Sequence, residues 1–237
     1  MIRGFSWSRR SVRPGSAVEA PVRDPGAAKL VLVTGAAGHI GRLLRPALRG
    51  RYRLRLLDRR VVFPPAVSGE EAIVADIEAP SALAGPFTGV DAVVHLAAEA
   101  SPEATWPAVR GLNIEGTYRV FEAARLAGVQ RIVFASTQRV MGLYERGAAP
   151  IRTDQPPRPD SLYAASKVFG EALGRHYADA FGIRVVCLRL GWVIERPTTD
   201  EMRRVWLKPS DLGRIVNRAL EAPVQFATYD ALSRQGP

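Results

Sequence analysis

Leu30-Val31-Leu32-Val33-Thr34-Gly35-Ala36-Ala37-Gly38-His39-Ile40-Gly41 decides the fold. A short apolar run, the mark of a buried strand, leads straight into three glycines spaced three apart, and a helix over Gly38–Arg49 follows. Strand, glycine turn and helix in that order give a GxxGxxG pattern its meaning. Gly35 permits the tight turn, Gly38 lets backbone approach a pyrophosphate, and Gly41 lets the helix pack closely on the strand. The helix N-terminus then offers unpaired N–H groups to phosphate oxygens.

Outward from this stretch the chain alternates. Strands are expected at Tyr52–Asp58, Glu71–Ala75, Asp91–Leu96, Gln130–Ala135, Ile183–Leu190 and Val224–Tyr229. Between them lie helices at Glu103–Ala127, where Val109, Leu112, Gly116, Val120 and Ala123 keep helical spacing, at Ser161–Phe181, and at Pro209–Ala222 with Ser210 or Asp211 as cap. Alternating strands and helices imply an α/β fold with a doubly wound parallel sheet of the Rossmann type, in a single domain over residues 29–237. Residues 1–28, rich in Arg, Ser, Pro and Gly without a persistent period, read as a disordered extension. Its arginines Arg3, Arg9, Arg10 and Arg13, with few acids, loosely resemble a transit peptide.

Composition narrows the function classes. Hydrophobic residues make up 47% of 237, in the soluble globular range, and no apolar run approaches the roughly 20 residues of a membrane span. The formal charge is +10, but the basic residues are scattered, only three of the 33 are Lys, and no nucleic-acid motif is present. Neither nucleic acid nor membrane is expected as a partner, no metal site is expected, and the cytoplasm is the expected compartment. The single cysteine, Cys187, excludes an internal disulfide and sits in an apolar strand run, where burial is expected.

Asp58 closes the second strand, 23 residues after Gly35. A carboxylate there accepts the adenosine ribose hydroxyls and repels a 2′-phosphate, which points to NAD; Arg59 and Arg60 beside it keep NADP open. Asp76 and Ile77 close the third strand, as acceptor for an adenine amino group or as a loop cap. His95-Leu96-Ala97-Ala98 closes the fourth, where the small Ala97 and Ala98 let a cofactor lie on backbone and His95 reads as a core residue. Further on, Tyr163-Ala164-Ala165-Ser166-Lys167 places a phenol and an ammonium four apart on one helix face. A Tyr acting as base near neutrality has to leave its ordinary ~10 at a cost of roughly 4 kcal/mol, and the adjacent cation is expected to favour the phenolate.

Taken together, Gly35–Gly41, Asp58, Asp76, His95–Ala98, Asn113, Phe134–Thr137, Tyr163–Lys167 and Leu188–Gly191 resemble the extended short-chain dehydrogenase/reductase superfamily, of NAD-dependent epimerase/dehydratase type, over about residues 29–230. That resemblance implies a catalytic set of Asn113, Thr137, Tyr163 and Lys167. Tyr163 would exchange a proton with the substrate oxygen, Lys167 would hold the nicotinamide ribose and lower the Tyr pKa, Thr137 (or its neighbour Ser136) would orient the substrate hydroxyl, and Asn113 would anchor a relay water. The NAD site it implies comprises Gly35, Gly38, His39, Ile40, Gly41, Asp58, Asp76, Ile77, Leu96, Ala97, Ala98, Tyr163 and Lys167. Many such relatives dimerise through the two long helices, so a homo-oligomer is expected.

Three stretches, Arg131–Tyr144, Arg158–Gly170 and Phe181–Leu207, look more narrowly like bacterial uronate dehydrogenases, which oxidise a uronic acid at C1 to its lactone with NAD. The 70 residues from Val168 to Pro237 are too few for the substrate domain of a nucleotide-sugar enzyme. Small epimerases or reductases of the same fold, and non-catalytic dinucleotide binders, are the alternatives. By this resemblance Ser101, Thr137, Gln138, Arg139 and position 201 would touch a sugar-like substrate. The sequence departs from the pattern in two places: Gln138 and Arg139 replace Asn and His, and Glu201 stands where an Arg would grip the carboxylate. Arg139, Arg203 or Arg204 is then the expected replacement, Arg139 foremost. Trp192 and Trp206 flank this stretch, as sugar-stacking or packing residues.

Overall fold

The computed structural model describes residues 28–62, 64–145 and 151–233; the expected N-terminal extension lies, but for Ala28, outside them. Seven strands form one all-parallel sheet: β1 (Leu30–Thr34), β2 (Arg53–Asp58), β3 (Glu70–Val74), β4 (Ala92–His95), β5 (Arg131–Thr137), β6 (Arg184–Leu190) and β9 (Phe226–Ala231), in the order β3-β2-β1-β4-β5-β6-β9. The order reverses between β1 and β4, so a crevice opens at the carboxyl ends of those two strands. A parallel pair β7 (Trp192–Val193) and β8 (Trp206–Leu207), not anticipated from sequence, lies beyond the end of β6.

Side-chain alternation along the strands divides the core in two. Val31, Val33, Val94, Val133 and Val186 face one way and meet Leu44 and Leu48 of α1 (His39–Leu48) and Leu212 and Val216 of α7 (Pro209–Glu221). Leu32, Val93, Ile132 and Cys187 face the other way. They meet Phe87 of α2 (Ala84–Phe87), Val120 and Phe121 of α4 (Thr117–Leu126) and Tyr177 of α5 (Leu162–Phe181). Cys187 is buried as expected, and burial pushes its thiol well above the ordinary range.

Helix ends follow local chemistry, with one correction. The Ser161 hydroxyl accepts from the Ala164 N–H at 3.2 Å and opens α5, and Gly182, at φ 73°, closes it. At α7 neither Ser210 nor Asp211 is the cap: Lys208 holds that position with extended backbone, and Pro209 starts the helix. Asp211 instead lies in the first turn and accepts from Ser233 Oγ at 2.6 Å.

The long helix expected around residues 103–127 is not uniform. It runs from α3 (Trp106–Ala108) through a wider, π-type stretch, Val109–Gly116, into α4. This stretch presses on the loop after β3: a Cβ on Gly111 would lie 2.1 Å from Glu78 Oε1, and one on Gly116 would lie 2.8 Å from Ile77 Cδ1. π-type turns concentrate at functional sites, and this one carries Asn113.

Candidate active site

Two adjoining cavities occupy the carboxyl edge of the sheet. The smaller, about 210 Å³, lies over β1, β2 and β4 and is lined by Gly35, Gly38, Asp58, Arg59, Arg60 and Asp76, with Ile77, Leu96, Ala97 and Ala98 completing its wall. Gly35 has φ +71°, and a Cβ there would sit 2.6 Å from the Ala97 N, so the turn and the end of β4 touch backbone to backbone. A Cβ on Gly41 would lie 2.6 Å from Ala36 O, which is the close helix–turn packing read from the sequence.

Asp58 is buried, and its carboxylate braces this turn. Oδ2 accepts from the Ala37 N–H at 2.9 Å and Oδ1 from the Arg60 N–H at 3.0 Å. A carboxylate has about four lone-pair sites, so capacity for ribose hydroxyls is left beside these two bonds. Asp76 Oδ1 accepts from the Glu78 N–H at 2.9 Å, a loop cap, and the residue also lines the cavity; the two roles weighed for it coexist. The glycine cradle, the helix N-terminus and the acid at the end of β2 fit a dinucleotide.

The larger cavity, about 440 Å³, shares Leu96 and Ala98 with the first, so the two are contiguous. Its wall includes Thr137, Tyr163 and Lys167 together, with Gln138, Arg139 and Glu201. His39 and Ile40 also line this cavity rather than the dinucleotide cleft, and His39 Nε2 lies 2.9 Å from Val193 O, tying α1 to β7.

Thr137 ends β5 and lines the same cavity wall as the Tyr163 phenol, whose pKa its side chain lowers. Lys167, one helical turn on, is buried, with Nζ 5.9 Å from the Tyr163 ring centroid and 4.9 Å from that of Phe134. The expectation that this ammonium lowers the Tyr163 pKa needs correcting. Burial dominates and holds the phenol above its ordinary value, and the influences pulling it down are the Thr137 hydrogen bond and the charge of Arg139. Burial also brings Lys167 down to about 8, so the low dielectric that raises the phenol weakens its cation.

Asn113 is buried with its amide fully engaged. Oδ1 accepts from the Glu99 N–H at 2.8 Å, and Nδ2 donates to Glu99 O and to Ser166 Oγ, each at 2.9 Å. Its side chain therefore joins the π-type stretch, the loop after β4 and α5. His95 is the core residue anticipated, with Nδ1 2.7 Å from Thr34 Oγ1 and Nε2 3.2 Å from Thr117 Oγ1; burial, then the charge of Lys167, takes its pKa to about 3.

On the substrate side, Gln138 Nε2 donates to Asp230 Oδ1 at 2.7 Å and to Arg189 O at 3.1 Å. Arg139 Nε donates to Asp160 Oδ1 at 3.1 Å. Arg203 pairs with Asp200 on α6 (Asp200–Arg204) at 2.8 Å, and neither it nor Arg204 lines the cavity. Ser101 is not brought into the wall: its hydroxyl donates to Glu103 Oε2 at 2.9 Å, while Ala100 and Pro102 on either side face the cavity. Trp192 lines the cavity and is 46% exposed, which leaves its ring available to a ligand, whereas Trp206 is anchored through Nε1 to Ile194 O.

Sequence reasoning missed Asp160 and a buried assembly behind Thr137. Glu171 receives Arg189 through both oxygens at 2.9 and 2.8 Å and the Ser136 hydroxyl at 2.6 Å. The Ser136 hydroxyl, though its residue also lines the cavity, is thus committed to Glu171, which leaves Thr137 as the hydroxyl for the substrate. Signals existed: Glu171 lies four after Lys167 on the buried face of α5, and Arg189 interrupts an apolar strand.

Comparison with known proteins agrees with this geometry. The sequence profile of the NAD dependent epimerase/dehydratase family matches residues 31–208. An L-arabinose 1-dehydrogenase (NAD(P)(+)) of Haloferax volcanii is 39% identical, with 81% of this chain and 82% of that protein covered. A uronate dehydrogenase of Pseudomonas syringae pv. tomato is 38% identical, with 81% and 70% covered. Among solved structures, uronate dehydrogenase from Agrobacterium tumefaciens superposes with a TM-score of 0.81 at 35% identity, covering 86% of this chain and 77% of that one. The glycine cradle, the contiguous cavities and these likenesses agree: the chain belongs to the NAD dependent epimerase/dehydratase family and is an NAD-dependent oxidoreductase.

Proposed function

We propose that this chain oxidises the anomeric hydroxyl of a free cyclic sugar to the corresponding lactone. Bound NAD supplies the acceptor for the hydride leaving C1. Tyr163 takes the hydroxyl proton, and Thr137, on the same cavity wall, orients the substrate oxygen. Lys167, buried beside the phenol, would hold the ribose on the nicotinamide side, and Asn113 fixes the loop after β4 against α5. Net, the sugar loses a hydride and a proton, and the proton passes from Tyr163 to solvent.

The observation that supports this most is that Thr137, Tyr163 and Lys167 line one cavity, which adjoins the dinucleotide cleft at Leu96 and Ala98. That relatives at 36–39% identity include dehydrogenases named for arabinose, uronate and glucose 6-phosphate favours a monosaccharide over a nucleotide sugar. A homodimer through α4 and α5 is part of the proposal; Tyr118, Leu126, Leu162 and Phe181 leave apolar surface exposed on these helices. Among the described residues no helix is long and apolar enough to cross a membrane, and the proposed compartment is the cytoplasm, where NAD and free sugars meet. The test is NADH formation with a panel of free aldoses and uronates. Production from at least one, with a lactone as product, is expected; none from any would overturn the proposal.

A further inference from the structure

The charges around the sugar cavity decide more than the catalytic set does. Among the described residues four charged side chains line it: Arg139, Asp160, Lys167 and Glu201. Lys167 is buried against the rings of Tyr163 and Phe134, beside the catalytic phenol. Arg139 is the cation on the substrate side, and its guanidinium is bonded to Asp160 at 3.1 Å, so its charge is already matched. Glu201 remains, on the α6 wall, and among the described residues no cation lies within ion-pair distance of it.

The other described arginines, Arg204 included, do not line the cavity, and three have partners of their own. Arg203 pairs with Asp200, Arg189 with Glu171, and Arg158 lies over the Tyr144 ring at 5.1 Å. Leaving aside the buried Lys167, the described lining carries two acids and one base. A carboxylate or phosphate on the sugar would have to share Arg139 with Asp160, one cation between two anions, and would then face Glu201. Burying such unpaired charge is costly. Neutral hydroxyls meet the same groups favourably, since two carboxylates accept from sugar O–H groups and the Arg139 fork donates to ring or hydroxyl oxygens.

Resting on the sugar-dehydrogenase proposal above, we propose that the substrate is a neutral aldose, that sugars bearing a carboxylate or phosphate are discriminated against, and that Glu201 is the residue that sets this selectivity. The wall it shares with Trp192 suits such a ligand, because an aromatic face packs against sugar C–H groups without asking for charge.

The test uses the full chain with NAD and sugars matched in configuration: D-galactose against D-galacturonate, D-glucose against D-glucuronate and D-glucose 6-phosphate, with the pentoses L-arabinose and D-xylose. For wild type, the neutral member of each pair that reacts should show kcat/KM about tenfold or more above its anionic partner. Glu201→Gln should narrow that ratio, and Glu201→Arg should narrow it further or invert it. The ratio is what is read, so a general loss of activity cancels. Preference of wild type for an anionic sugar overturns the inference and leaves the sugar-dehydrogenase proposal standing. An unchanged ratio in both variants overturns the role of Glu201. Failure to reduce NAD with any sugar overturns both.

Discussion

The dinucleotide cleft and the sugar cavity lie side by side along one sheet edge, yet their walls are made differently. The cleft is shaped by close backbone contact, the Gly35 turn against Ala97 and the start of α1, with Asp58 bracing the turn through the Ala37 N–H and the side chains of Arg59, Arg60 and Asp76 also lining it. The sugar cavity is side chain: a phenol and an ammonium from α5, a hydroxyl from β5, an ion pair between Arg139 and Asp160, and Glu201 and Trp192 from segments past β6. Backbone walls tolerate only glycine where they touch and so constrain sequence tightly. Side-chain walls can be exchanged one residue at a time, which lets one fold serve different sugars.

This contrast can be broken at either cavity. The largest effect belongs to Tyr163→Phe, which removes the proton acceptor and leaves the ring. Turnover should fall by about 10²–10⁴-fold, with NAD affinity close to wild type, as measured by steady-state rates beside a dinucleotide titration. Gly35→Ala attacks the cleft. It forces a Cβ into the Ala97 backbone at a left-handed φ, so NAD affinity should drop and folding stability should fall by about 1–3 kcal/mol, read from urea midpoints. A variant that bound NAD normally would show that the backbone contact is not the wall it is taken to be.

A smaller effect concerns the strand between the cavities. His95 is held neutral with a pKa of about 3, below that of an unfolded His near ~6.5. The unfolded chain therefore binds this proton first as pH falls. Stability is full above the unfolded value and is lost as pH falls through the window from there towards 3, by roughly 1–2 kcal/mol between about pH 7 and about pH 5. His95→Gln should flatten that slope in urea denaturation. An unaltered slope would remove His95 as its source.

Smallest is the electrostatic link across the sugar cavity. Arg139 draws the Tyr163 pKa downward against burial, so Arg139→Ala should let it rise. Activity depends on the deprotonated phenol, and the alkaline rise of kcat/KM should move to higher pH. A shift in the opposite direction would exclude this coupling.

The same contrast explains what could be read from sequence. The strand–turn–helix at Leu30–Gly41, the parallel sheet and Asp58 at the end of the second strand all follow from local backbone requirements, and they appear where expected. The Arg139–Asp160 and Glu171–Arg189 pairs depend on tertiary approach, and an acid on a helix reads as solvated until its partner is known. The effect of Lys167 on Tyr163 was misjudged for a related reason: spacing gives proximity, but burial of both groups sets the sign. The π-type stretch at Asn113 was invisible because its apolar positions keep ordinary helical spacing while contact with Ile77 and Glu78 sets its turn.

The division of labour between the two cavities is tested most directly by a crossed measurement on Tyr163→Phe and Gly35→Ala: the NAD dissociation constant and the turnover number with the best sugar, both on one preparation of each variant. Tyr163→Phe should lose turnover and keep NAD affinity, whereas Gly35→Ala should lose NAD affinity and keep more of its turnover at saturating NAD. If Tyr163→Phe lost NAD affinity to the same degree as Gly35→Ala, or retained wild-type turnover, the assignment of cofactor binding to the backbone cleft and proton transfer to the side-chain cavity would be wrong.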